Sequence, residues 1–158
     1  MLHDIDLVPL AAEYSIAGHE RAEAENFAHL DQSGATKFIT AARMMTMRAT
    51  ILATGTISVF EALLQQSLGW EQPFAMLDKH LRTHGLDDLA ERFLDFRDAI
   101  NVLKHGAGRS HDRLLTRKDR VDFAVRALEQ PFHKEGDISE ISTLVRADAF
   151  FVRNCGRL

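Results

Sequence analysis

The sequence predicts a mainly α-helical protein, a bundle of four to six helices with a small C-terminal β-hairpin as an added feature. Apolar residues recur at steps of three and four over long segments, which is the spacing of one helix face. Glycines at 69, 85 and 106 separate these segments, as glycines that follow helix ends do. A chain of 158 residues can bury one core. We therefore expect a single domain over 1–158, with a bundle core at 35–106 and a C-terminal extension at 107–158.

The strongest predicted helix runs from Ala35 to Leu68. Its main apolar face is formed by Phe38, Ala42, Met45, Ala49, Leu52, Thr56, Val59 and Leu63. A second set (Ile39, Ile57, Phe60 and Leu64) widens that face beyond one stripe. Ser33 is a candidate N-cap, and Gly69 and Pro73 mark the end. A helix this apolar is typical of the centre of a bundle or of a dimer interface.

A second well-defined helix is predicted from Asp87 to His105. Acidic residues occupy its first turn, where they suit the helix dipole, and Gly106 follows its last residue. The apolar stripe consists of Leu89, Phe93, Phe96, Ile100 and Leu103. At about 100° per residue these positions stay within about 80° of arc, so they should face the core.

The remaining segments give weaker patterns. We expect helices over 13–30, 74–84, 111–115 and 148–155. Between the last two, alternating apolar residues at 121–125 indicate a strand, and 143–146 is its expected partner in a hairpin.

Composition excludes several classes of protein. The net charge of −4 argues against a general nucleic-acid binder, although 97–126 holds eight basic residues against four acids. A lone cysteine, Cys155, cannot form an internal disulfide, so we expect a cytoplasmic protein. The most apolar run, Ala49–Phe60, is too short to span a bilayer, and charged Arg48 and Glu61 bound it. We therefore expect no membrane segment.

One constellation points to chemistry, on the exposed side of the 87–105 helix. Arg97, Asn101, Lys104 and His105 lie within about 100° of one another on a helical projection. Arginine binds phosphate through a rigid fork of donors, and histidine titrates near neutral pH. Together they provide what metal-free RNA cleavage needs, a base for the 2′-hydroxyl and cations for the developing charge.

The stretch Asn101-Val-Leu-Lys-His105-Gly106 resembles the signature of HEPN domains (higher eukaryotes and prokaryotes nucleotide-binding). Their last long helix carries an arginine, then a polar residue, and a histidine four to six residues beyond the arginine. The segment Ser58-Val-Phe-Glu61-Ala-Leu-Leu also resembles their long apolar helix with its glutamate. The resemblance spans about residues 35–106 and implies a bundle of about four helices that dimerises. It also implies metal-independent ribonuclease activity in a defence or toxin–antitoxin system, with an antitoxin as a protein partner.

The match departs from the family at one position, because Ile100 stands where an arginine is expected. The nearest upstream arginine is Arg97, which we take as its substitute. We predict Arg97, Asn101 and His105 as catalytic residues, Lys104 and Arg109 as RNA-binding residues, and no metal or cofactor. The alternative is a non-catalytic dimerisation or protein-interaction module, which Ile100 and the negative net charge both favour.

Two other patterns contain residue types found in metal sites and catalytic triads. His80 and His84 have the i, i+4 spacing of metal ligands, but no third ligand can be identified. The run Ser110-His111-Asp112 carries the residue types of a nucleophilic triad. Such side chains must converge from separate places in a fold, so adjacency in sequence argues against that role. Without the resemblance, Asn101, Lys104 and His105 read as a solvated helix end in which His105 interacts with the helix dipole.

Overall fold

The computed structural model describes residues 3–30, 36–132 and 140–157, and these form six helices. They are α1 (Asp4–Leu30), α2 (Thr36–Leu68), α3 (Pro73–Thr83), α4 (Asp87–His105), α5 (Arg109–Thr116) and α6 (Ala149–Gly156). The prediction of a mainly α protein is confirmed. The predicted cap Ser33 and the first predicted residue of the long helix, Ala35, lie outside the described residues.

The first helix begins nine residues earlier than the sequence pattern indicated. It starts at Asp4 and includes Pro9, which interrupts the apolar pattern. Pro9 is the sixth residue of the helix and has no N–H to donate to the carbonyl of Ile5, so the helix continues there with one hydrogen bond fewer. The backbone N–H of His3 donates to Oδ2 of Asp6 at 2.9 Å, and two acids lie in the first turn. Both features stabilise a helix start at this point.

α1 and α2 pack against each other as antiparallel neighbours. Near their link, Nδ2 of Asn26 donates to the carbonyl of Phe38 at 3.2 Å, and further along both helices Gly18 approaches Arg48. α6 lies on α1 as well, where Arg153 binds the carboxylate of Glu13 at 3.1 Å. The contact is close because position 156 is glycine, and a Cβ there would lie 2.8 Å from Cβ of Ala12.

The core is centred on α4. Phe96, Phe123 and Phe151 contact one another with ring centroids 5.1 Å apart, and Phe93 packs edge-on against Phe74 of α3. Phe93, Phe96 and Ile100, the middle of the predicted α4 stripe, are 1–3% exposed. Such aromatic pairs stabilise the core beyond the area they bury. They hold α4 in place, so its polar edge has a fixed position.

The prediction of a C-terminal β-hairpin is wrong. The two segments do meet in antiparallel fashion, but only at one bridge between Val125 and Val145. Two backbone hydrogen bonds of 3.0 Å flank it, from Arg126 N to Leu144 O and from Arg146 N to Ala124 O. No strand is formed within 3–30, 36–132 and 140–157, and residues 133–139 of the connection lie outside the description. The apolar side chains are instead drawn into the helical core, where Phe123 and Val145 are buried.

α2 has the composition of a membrane span although it packs within the bundle. Among the helices of the described chain, it is the one long and apolar enough to cross a bilayer, with a mean hydropathy of 1.3 over 18 residues. It also contacts α1, α3, α4 and α6, but only 28% of that stretch is buried in the protein. The absence of a membrane segment stays a prediction. One face of this apolar helix therefore has no partner within the described chain.

Candidate functional site

The candidate site lies along one edge of α4 and around the turn into α5. α4 ends because Gly106 adopts a φ of 76°, in the left-handed region that glycine favours, and its N–H donates to Val102 O at 2.8 Å. Only three residues separate His105 from the start of α5 at Arg109. The turn therefore brings His105 and Arg109 to the same end of the bundle.

A buried carboxylate, Asp98, ties α5 to α4. It is 2% exposed and accepts hydrogen bonds from Arg113 Nε at 2.8 Å, from Ser110 Oγ at 3.0 Å and from an Arg117 guanidinium nitrogen at 3.0 Å. Burial acts to raise the pKa of Asp98, but the hydrogen bonds from Arg113 and Ser110 outweigh it, so the pKa is lowered overall. Asp98 is thus an ionised anchor that orients the α4–α5 turn.

The same contacts account for the Ser110-His111-Asp112 run. Ser110 donates to Asp98, whereas His111 is 3% exposed and its Nε2 lies 2.8 Å from the carbonyl of Arg126. Asp112 is exposed on α5. Ser110 and His111 thus serve separate contacts and Asp112 is exposed, so the three side chains form no nucleophilic triad.

A groove of about 460 Å³ runs between α2, the start of α3 and α4. Arg97, Asn101 and Lys104 line it from α4, and Glu61 lines it from α2. Ile100 is 3% exposed and contributes to its floor. The position where the family resemblance expects arginine is therefore filled by an apolar side chain, with Arg97 one turn away in the same groove.

A second depression, of about 320 Å³, surrounds the α4–α5 turn. His105, Arg109 and Ser110 line it, and Asn101 lines both this depression and the groove. The five predicted residues are thus divided, with Arg97 and Lys104 on one side of Asn101 and His105 and Arg109 on the other. His105 follows Arg97 by eight positions, which is about 12 Å along the helix axis.

The cations at this edge are available for a ligand. Arginines elsewhere hold carboxylates, as Arg82, Arg126 and Arg153 do. By contrast, no described carboxylate lies within 4 Å of the side-chain nitrogens of Arg97, Lys104 or Arg109. Two carboxylates, Glu61 and Glu71, nevertheless line the groove, so it has mixed charge and the depression beside it is the more basic of the two.

The rings of His80 and His84, the pair with metal-ligand spacing, are tilted at 39° to each other. Their centroids lie 4.3 Å apart, and Nδ1 of His84 lies 2.8 Å from the carbonyl of His80. Within the described ranges, no group of three histidine, cysteine or acidic side chains is arranged to hold a metal ion.

Sequence reasoning did not single out His19. This α1 residue is 1% exposed, and its Nδ1 has no hydrogen-bond partner in the described parts of the chain. It lines a cavity of about 260 Å³ between α1, α2 and the C-terminal extension. The signal was available, because Ala12, Ile16 and His19 follow the three-and-four spacing of a buried helix face.

No family model, curated protein or solved structure matches this chain. The resemblance to HEPN domains therefore rests on the α4 motif, the α2 segment around Glu61 and the helical architecture.

Proposed function

We propose that this protein binds RNA along the polar edge of α4 and cleaves it without a metal ion. One observation carries the proposal. Asn101 joins a groove containing Arg97 and Lys104 to a depression containing His105 and Arg109, so the five residues form one continuous edge. A single-stranded RNA needs such a row of donors and cations to track its backbone.

The chemistry assigned to this edge is transesterification. The 2′-oxygen attacks the adjacent phosphorus, the O2′–P bond forms and the P–O5′ bond breaks, which leaves a 2′,3′-cyclic phosphate. His105 accepts the proton of the 2′-hydroxyl, and water returns a proton to the leaving 5′-oxygen. Arg109 shares the depression with His105, so it lies nearest the scissile phosphate. Arg97, predicted above as a catalytic residue, lies about 12 Å along the helix axis from His105. In this proposal it therefore holds the neighbouring nucleotides with Lys104, and Asn101, between the groove and the depression, orients the phosphate.

Salt dependence of binding tests whether this edge contacts phosphates. We expect Lys104→Ala and Arg109→Ala each to weaken binding of a fluorescent single-stranded RNA and to reduce the slope of log K against log salt by about 0.7. Lys79→Ala is the matched control, because Lys79 is exposed on α3 away from this edge. An unchanged slope in both variants, or an equal change in the control, contradicts the proposed surface.

A second function is favoured by one observation. Ile100 is buried where the resemblance expects arginine, and its apolar side chain has no group that binds a phosphate. This supports a non-catalytic interaction module that binds a protein partner. An RNA cleavage assay distinguishes the two functions, because an interaction module binds its protein partner and does not cleave RNA.

A further inference from the structure

The exposed side of α2 carries a continuous apolar face. Met44, Met47 and Ile51 are 65%, 47% and 62% exposed. Gly55, Ser58 and Ala62 continue the same face and are exposed as well. On a helical projection the six positions fall within about 80° of arc. That arc lies opposite the side buried in the bundle, which includes Ala42, Ala49, Ala53 and Ile57.

The residues on this face are ordered by size. The three large side chains occupy the N-terminal half, and the three small ones occupy the C-terminal half. A face of this kind is complementary to itself only when a second copy runs in the opposite direction. Large side chains of one helix then fill the space above small residues of the other, as interface packing requires.

We propose that this face, the α2 face (Met44, Met47, Ile51, Gly55, Ser58 and Ala62), binds a second copy of the chain. The two α2 helices run antiparallel around a two-fold axis near Leu52. With the axis there, Met44 of one copy lies level with the space between Ser58 and Ala62 of the other. Ile51 lies level with the space between Ile51 and Gly55 of the second copy.

Charge complementarity supports the same register. Arg43 and Glu61 each lie nine residues from Leu52, and their offset of eighteen positions makes five full helical turns. They therefore occupy the same flank, and the antiparallel pairing places Arg43 of each copy opposite Glu61 of the other. Within one copy, no oppositely charged described side chain lies within 4 Å of either residue.

Gly55 is a separate indication of close approach. A glycine inside a helix costs about 0.5–1 kcal/mol relative to alanine. A Cβ built at Gly55 meets nothing within 4 Å in the single chain, so the monomer does not require glycine there. Close approach of a neighbouring helix backbone would require glycine at this position. Because Glu61 also lines the groove, Arg43 of the second copy would lie at its edge.

This inference does not depend on RNA binding at α4, and sedimentation of the full-length protein tests it. We expect a dimer for the wild type and at least a tenfold higher dissociation constant for Gly55→Leu, with unchanged helical circular dichroism. Val59→Leu is the matched control, because Val59 is 54% exposed on α2 but outside the α2 face. Arg43→Glu and Glu61→Arg should each weaken the dimer, and the double exchange should restore it.

Cysteine crosslinking tests whether the two α2 helices run antiparallel, and it needs no substitution that weakens the interface. Ile51→Cys lies near the axis and should form a disulfide-linked dimer on oxidation. Thr40→Cys is on the same side of α2 but about 36 Å from its counterpart, so it should remain unlinked. The native Cys155 is 4% exposed and does not interfere. Linkage through Thr40→Cys, or a monomeric wild type that floats with phosphatidylcholine vesicles, overturns the proposal.

Discussion

Replacing His105 by alanine is expected to lower metal-free RNA cleavage by at least about 100-fold. A positioned acid–base group contributes about 10²–10⁴ to a rate, and His105 is the histidine at the α4–α5 turn beside the available cations. RNA binding should change much less, because Arg97, Lys104 and Arg109 supply the phosphate contacts along the proposed surface. The measurement is the initial rate of cleavage of a labelled RNA in excess EDTA.

His84→Ala is the control for this experiment. His84 is exposed directly after the last residue of α3, and its loss should leave cleavage unchanged. Wild-type cleavage that survives in His105→Ala would show that His105 is not the acid–base group. Absence of cleavage by the wild type across several RNAs would favour the non-catalytic interaction module.

Asp98→Ala is expected to destabilise the fold by about 2–4 kcal/mol. Removing one partner of a buried ion pair costs about 3–5 kcal/mol, and the value is reduced here because Arg113 is half exposed and can be solvated. Urea unfolding followed by circular dichroism measures it. Asp112→Ala, which removes an exposed acid of α5, should change the free energy of unfolding by less than about 0.5 kcal/mol. Equal effects in the two variants would contradict the anchoring role of Asp98.

The stabilisation from Asp98 should also depend on pH. Its pKa in the folded protein lies below the ordinary value of 3.8, so the unfolded chain binds the proton more readily. The contribution is therefore present above about pH 4 and lost as the pH falls through the lowered pKa. Burial raises the pKa of the neighbouring Asp95, which acts in the opposite direction. In Asp98→Asn the charge that helps to raise the pKa of Asp95 is also removed, so the difference from wild type reports Asp98 together with that coupling. This difference should shrink below pH 4.

The limits of a helix could be predicted from the sequence where several local signals agreed. The limits of α4 were predicted as the structure has them, because acids at its start, a regular apolar stripe and Gly106 at its end all indicate the same helix. The start of α1 was missed because Pro9 interrupts the apolar pattern there, although acids in the first turn support a helix. The hairpin failed because alternation at 121–125 was taken as a strand, whereas the side chains enter a helical core.

The candidate site was predicted only as far as one helix determines it. Spacing placed Arg97, Asn101, Lys104 and His105 on a common arc of α4. It could not show that α2 and α3 form the other side of the groove that Arg97 and Lys104 line, or that the α4–α5 turn forms the depression that His105 lines. The ion pairs of Asp98 with Arg113 and Arg117 were also beyond reach, because they join residues 15 and 19 apart in sequence through tertiary packing.

The most direct test of the central claim is a map of where RNA contacts the protein. Backbone amide shifts would be recorded by NMR with and without a short single-stranded RNA whose attacking 2′-hydroxyl is replaced by hydrogen to prevent cleavage. The proposed surface predicts the largest shifts at 97–110, in particular at Asn101, His105 and Arg109. Shifts confined to the basic stretch 117–126 or to the cavity around His19, with none along α4, would contradict it.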